Sequence, residues 1–186
     1  MGTIKTTNIE TITGSGTLTL GQSGETISVP SGVTVNMSSA TQTGVGGSTT
    51  PYMYALKNGD QSISATTWTK VTLGTEFTDS DNAFASNTFT VPSGEAGKYL
   101  ITAFIRYQDL NDTSGYGYLS IANSDRSTTY SAIAGQGNSG YGFVAIACSA
   151  LVSLSVGDTI SVYTYSTEAA TLSDDNSGMT ICKMID

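Results

Sequence analysis

Chemistry in this 186-residue chain has to start from carboxylates, because the usual proton carriers are missing. There is no histidine, which removes the commonest general base, the Ser–His pair and most zinc sites together. Three acidic pairs stand close in sequence: Asp79 with Asp81, Asp109 with Asp112, and Asp174 with Asp175. Paired carboxyls could serve as acid and base on a glycosidic bond, the basis of a remote reading as a glycan-degrading enzyme. The same groups could hold calcium, for which Asp109, Asp112, Asp174 and Asp175 are the metal candidates. Loop aspartates mostly bond their own backbone, so the expectation is no catalytic residue, no enzyme, and no cofactor beyond that calcium ion.

Other reactive types are equally sparse. Cys148 and Cys182 sit in apolar, strand-like runs without a neighbouring base, and read as small buried hydrophobes with free thiols. The run from Gly135 to Gly140 lacks the lysine and following helix of a phosphate loop. The formal charge is −8, and seven Lys and Arg form no patch, so nucleic acid is not an expected partner. No run approaches the roughly 18 apolar residues of a membrane span, and Met1 to Glu10 has no apolar signal-peptide core. Neither membrane insertion nor conventional secretion is expected. Trp68, Tyr99 and Tyr163 read as core, whereas Tyr116, Tyr118 and Tyr141 flank loops, where a ring could stack on a sugar.

The elements that must position these groups are strands. Only 12% of residues are charged, 21 are glycine, and β-branched and aromatic residues recur throughout, so the fold class is all-β with many turns. The patterning predicts strands at Tyr52 to Lys57, Trp68 to Leu73, Asn87 to Val91, Lys98 to Gln108, Tyr116 to Ala122, Ser127 to Ile133, Tyr141 to Ser153, Thr159 to Tyr165 and Met179 to Ile185. That density is characteristic of a sandwich or jelly roll. Three of these strands are apolar on both faces. In Tyr99 to Tyr107, the residues Tyr99, Ile101, Ala103, Ile105 and Tyr107 share one side, with Leu100 and Phe104 opposite. Phe143 to Val156 and Met179 to Ile185 behave alike, which predicts a core on one face and a neighbouring chain on the other.

Residues 1–48 are a different material. Thr17 to Leu20, Thr26 to Val29 and Val33 to Asn36 are short alternating pieces with one apolar side, punctuated by Gly14, Gly16, Gly21, Gly24 and Gly32. Pieces of that length cannot bury an apolar side alone. Several identical chains winding together would, so 1–48 is expected to be a β stalk; a flexible linker fits the regular apolar spacing poorly. The Gly, Ser and Thr run from Thr41 to Thr50 is the natural hinge, and 49–186 the head.

Certain residues in the head carry a family likeness. Trp68-Thr69-Lys70-Val71, Asn82-Ala83-Phe84, Phe89-Thr90-Val91-Pro92 with Gly97-Lys98-Tyr99, and Leu154-Ser155-Val156-Gly157-Asp158-Thr159-Ile160 occur in order. Together they resemble the globular head of complement and tumour necrosis factor proteins, which implies a jelly roll that trimerises. The opening stretch from Met1 to Val35 resembles the N-terminus of bacteriophage tail-fibre and virion structural proteins. The two resemblances imply a virion protein: a homotrimeric fibre or spike, joined to other virion proteins through its N-terminal segment, whose head adheres to a bacterial surface glycan or protein receptor. The alternative is a capsid or tail decoration or connector protein that binds no host.

The resemblance also implies where the head meets a target. Both chain ends would lie at one end of the roll, with Pro92 to Gly97, Asn123 to Arg126 and Ser155 to Asp158. The longer loops Asp109 to Gly115, Ala134 to Gly140 and Ser166 to Gly178 would gather at the other. The receptor candidates are therefore Asp109, Asn111, Asp112, Gln136, Asn138, Tyr141, Asp174, Asp175 and Asn176. In the same topology the strand of Tyr99 lies between those of Cys148 and Cys182, too far apart for a disulfide.

Overall fold

The computed structural model describes residues 26, 28, 31–34, 50–110, 115–137, 143–174 and 176–184. The chain divides into two compact units, Met1–Thr43 and Gly44–Asp186. In the first, Ser31 and Gly32 form a turn with Gly32 at φ +84°. The stalk piece Thr17 to Leu20 and half of each of Thr26 to Val29 and Val33 to Asn36 lie outside the described residues, as does most of the Thr41 to Thr50 hinge.

The described part of the second unit holds strands and turns and no helix. Its thirteen strands are β1 (Tyr52–Leu56), β2 (Gln61–Ile63), β3 (Thr69–Lys70), β4 (Thr75–Asp79), β5 (Phe84–Ala85), β6 (Thr88–Thr90), β7 (Gly97–Tyr107), β8 (Tyr116–Ala122), β9 (Thr129–Gln136), β10 (Val144–Leu154), β11 (Thr159–Ser166), β12 (Ala170–Leu172) and β13 (Gly178–Lys183). All nine predicted strands are present, with edges moved by a few residues. β2, β4, β5 and β12 were not foreseen: each has five residues or fewer, and β2 and β4 are largely polar.

Two antiparallel sheets face each other. The first runs β4–β1–β13–β7–β10, with β12 and then β2 continuing beyond β13 at the far end of β7. The second runs β5–β6–β11–β8–β9, with β3 added to β11. The chain changes sheet from β7 to β8, β9 to β10, β10 to β11 and β11 to β12, which is the winding of a jelly roll.

Parity decides what lies between the sheets. Tyr99, Ile101, Ala103, Ile105 and Tyr107 of β7 all point inward and are at most 1% exposed. They meet Leu119 and Ile121 of β8 and Ile160 and Val162 of β11, with Met179 and Ile181 of β13 alongside. Phe89 and Tyr99 form an edge-to-face pair, 5.9 Å between ring centres, that joins β6 to β7. The turn after Phe89 is locked to the turn before Thr159: Val91 N–H donates to the Asp158 carbonyl (2.9 Å), and Gly157 N–H donates to the Val91 carbonyl (3.0 Å). Gly157 sits at φ +86°, where a side chain would be strained. The two motifs recognised in sequence are thus two halves of one hydrogen-bonded end of the roll.

Tyr163 and Tyr99 are buried as expected, but Trp68 is only half-buried, on the outward side of the second sheet. The cysteines also differ from expectation. Both are half-buried, and they lie on opposite faces of the first sheet: Cys148 pairs with inward Ala103, Cys182 with outward Leu100. β7 stands between them, so the two thiols are free. Burial pushes the Cys148 thiol up from its ordinary range. Denaturation without reductant, followed by alkylation and intact-mass measurement, should therefore add two alkyl groups per chain. A chain that adds none carries a disulfide and has a different sheet order.

Candidate binding surface

Backbone hydrogen bonds fix which loops share an end. Lys183 N–H donates to the Pro51 carbonyl (3.0 Å) and Met184 N–H to the Lys98 carbonyl (2.8 Å), so residues 51 and 184 both lie at the start of β7. At the opposite end Gly137 N–H reaches the Gly115 carbonyl, Thr167 N–H the Tyr116 carbonyl, and Gln108 N–H the Thr171 carbonyl. The described ends of the three longer loops therefore lie there, joined by the unforeseen segment from Asn58 to Trp68.

Among the described residues, the aspartates Asp60, Asp109 and Asp174 at this end are turned toward the protein. Asp109 accepts from Thr171 N–H (2.5 Å) and from the Thr171 hydroxyl (2.9 Å). Asp60 Oδ1 accepts from Gln108 Nε2 (2.7 Å) and from Asp174 N–H (2.9 Å), while Asp174 Oδ1 accepts from Gly59 N–H (2.7 Å). Lys57, 1% exposed, lies beneath and donates from Nζ to the Gly59 carbonyl. Desolvation lowers the Lys57 pKa, and the charges of Asp174 and Asp60 pull it partly back. Asp174 thus forms one network with Asp60 and Gln108, and Asp109 is tied to Thr171 beside it; both carboxylates accept from backbone N–H groups distant in the chain. Asn176 donates to the Asp174 carbonyl (2.9 Å). Gln136 ends β9 on the other sheet, exposed and in register with Tyr116. Asn111, Asp112, Asn138, Tyr141 and Asp175 lie outside the described residues. Among the described residues, no three His, Cys, Asp or Glu gather as metal ligands. Asp79 accepts from Phe84 N–H, and Asp81 follows Ser80, whose hydroxyl binds Tyr52 N–H; that carboxylate pair is at the opposite end of the roll.

Beside the loop end the outer side of the second sheet carries an aromatic depression of about 370 Å³, lined by Trp68, Tyr118, Tyr165 and Thr167. Register builds it. Tyr165 pairs directly with Tyr118, and Thr69, next to Trp68, pairs with Thr164, so three rings from β8, β11 and the start of β3 stand side by side. Ring centres are 5.4 Å apart for Trp68–Tyr165, 5.7 Å for Tyr118–Tyr165 and 6.3 Å for Trp68–Tyr118, at tilts of 45–77°. The Arg126 guanidinium lies 3.6 Å from the Trp68 ring centre, a cation–π contact worth about 0.5–2 kcal/mol. Arg126 reaches it from φ +60°, a backbone state that costs a side chain of order 1–3 kcal/mol. The sequence reading found Tyr118 as a loop-flanking ring but put Trp68 in the core and passed over Tyr165. A tryptophan beside a two-residue strand has too little pattern around it to show which way it faces.

Tyr107 supports this depression from inside. Its ring crosses from the first sheet and fits only because position 117 is glycine: a Cβ there would come 2.3 Å from the ring. Its hydroxyl bonds Thr164 Oγ1 and lies 3.0 Å from the Tyr165 carbonyl and 3.5 Å from the Tyr118 carbonyl. Thr164 Oγ1 in turn lies 2.9 Å from the Tyr118 carbonyl. Two hydroxyl protons are thus shared between this hydroxyl pair and the carbonyls of two of the lining residues. Burial, partly offset by these bonds, pushes the Tyr107 pKa from 10.0 up to about 12.

No family model matches the sequence, and no curated protein matches it. Solved structures do. The globular domain of zebrafish complement 1qA superposes with a TM-score of 0.51 at 12% identity, covering 70% of this chain and 94% of that one. Murine APRIL gives 0.55 at 17%, covering 72% and 98%, and the PRD1 vertex protein P5 gives 0.52 at 16%, covering 74% and 99%. At such identities the likeness establishes the fold: an all-β jelly roll of the complement and tumour-necrosis-factor kind.

Tyr107→Phe should cost about 1–3 kcal/mol, since the partners of a buried hydroxyl are left unmet. The folded-state pKa lies above the ordinary one, so the contribution is whole below pH 10 and is lost between pH 10 and about 12. Chemical denaturation across that range should show the wild type losing up to about 3 kcal/mol more than Tyr107→Phe. Parallel pH curves for the two would contradict the assignment.

Proposed function

We propose that the chain is a structural component of a bacteriophage particle, a trimeric fibre or spike whose jelly-roll head adheres to the host cell surface. The observation that carries it is the solvent side of the first sheet. Register places Tyr52, Cys182, Leu100 and Leu151 in one row across β1, β13, β7 and β10. Leu151 is 65% exposed, Leu100 43% and Tyr52 42%, with Phe143 and Met184 also open. A neighbouring row holds Tyr54, Thr180, Thr102 and Ser149, uncharged throughout. These two adjacent uncharged rows, flanked on the same side of β7 by Lys98 and Arg106, mark an interface on a single chain, and a second copy of the chain matches them in chemistry. Three copies is the number that the resemblance implies.

A particle role is supported by the vertex protein P5, which shares the fold. An adhesive role is supported by the long loops and the aromatic depression, which sit away from the end where residue 51 enters. In this reading the N-terminal segment fastens to other virion proteins and the receptor is a surface glycan or protein. A decoration or connector protein would share the trimer but not the need for an open loop end.

Sedimentation should find a single species of three chains, and Leu100→Asp with Leu151→Asp should release single chains that keep their β spectrum. A monodisperse, soluble wild-type monomer would refute the assembly. Particles lacking the protein should fail to adsorb; normal adsorption with fragile particles would favour the connector.

A further inference from the structure

We infer that the depression formed by Trp68, Tyr118, Tyr165 and Thr167 is a binding site for a neutral pyranose sugar, one terminal unit of a saccharide rather than a long chain. Its volume of about 370 Å³ is at the small end of the roughly 300–1,000 Å³ of ligand pockets. Three aromatic rings with few polar groups around them offer electron-rich faces to the polarised C–H side of a pyranose. The hydroxyls at its rim need polar partners. Among the described residues, those of Tyr118 and Tyr165 make no hydrogen bond, while the exposed Thr167 beside them is bonded through its hydroxyl to the Tyr116 backbone. Across β9 the position in register with Tyr118 is the small, exposed Ala134, so that side of the depression stays open.

Charge narrows the ligand further. A cationic ligand would be the other natural guest of tilted aromatic rings. Here Arg126 already lies 3.6 Å from the Trp68 ring centre without lining the depression, and its positive charge opposes a second cation in the same cluster. An acidic saccharide meets a chain of net charge −8 and finds no basic lining residue. A neutral sugar meets neither obstacle.

Position fits as well. Tyr165 lies next to the end of β11, where Thr167 N–H binds the Tyr116 carbonyl, so the depression opens beside the long loops and away from residue 51. This inference takes only the origin of the sugar from the adhesive reading. Binding is measured on the isolated protein and adsorption on particles, so either can fail without the other.

Trp68 is the single tryptophan of the chain, so its emission reports on the depression directly. The probe is a panel of neutral disaccharides containing glucose, galactose and mannose, followed by Trp68 fluorescence and by saturation transfer to the sugar C–H protons. At least one sugar should bind with half-saturation on the order of 1 mM. Tyr118→Ala and Tyr165→Ala should weaken it about tenfold. Tyr118→Phe with Tyr165→Phe keeps the rings and their packing, and should weaken binding several-fold by removing the hydroxyls. Absence of any response in both measurements overturns the inference. So does a response that the tyrosine variants leave unchanged, or one given by choline and not by the sugars.

Discussion

The structure depends on one buried phenol. Tyr107 is the last residue of the longest inward row of β7, and its hydroxyl ends among polar groups of the opposite sheet. A polar group in that position is costly unless it is bonded, and the bonds available are to Thr164 and to the carbonyls of Tyr118 and Tyr165. The constraint is mutual. Gly117 has to lack a side chain so that the ring can pass, and the backbone of β8 and β11 has to hold the register that puts Tyr118 beside Tyr165. What faces outward as an aromatic depression is held from within by a single side chain of the other sheet.

The two outer faces follow from this layering and differ in chemistry. Outside the first sheet the exposed side chains are mostly apolar or small, with Leu100 and Leu151 at the centre and no carboxylate in their rows. Outside the second, Lys70 and Arg126 pack over Tyr163, and Ser161 bonds Thr88, so that side is closed by the protein's own polar side chains until the rings of Trp68, Tyr118 and Tyr165. One face asks for another chain. The other leaves only a pocket-sized opening, which suits a small ligand better than a protein partner.

Much of this was legible in the sequence, for reasons that can be stated. Alternation in Tyr99 to Tyr107 and Phe143 to Leu154 has a period of two, and that period alone assigns Ile101 inward and Leu100 outward. The turn motifs around Val91 and Gly157 were recognisable because each needs particular residues to close. Other features depended on distance in space. Asp174 and Asp60 lie 114 residues apart in the chain, and nothing local shows that the backbone of one is the partner of the other's carboxylate. The sequence likewise could not show that the carboxylate of Asp109 accepts from Thr171 and that of Asp174 from Gly59 N–H. Strands of two or three residues, such as β3 and β12, carry no period at all, and Trp68 was misplaced for that reason.

The central claim is that the two outer faces have different fates in the assembled protein: the first covered by neighbouring copies, the second open at its aromatic depression. Hydroxyl-radical footprinting of the assembled protein, read by mass spectrometry, tests both halves at once. Tyr52, Leu100, Leu151 and Met184 should be protected although each is at least 41% exposed on the single chain, while Trp68, Tyr118 and Tyr165 are oxidised. Oxidation of Leu100 and Leu151 together with protection of Trp68 would mean that the protein assembles through the opposite sheet, and the account would be wrong.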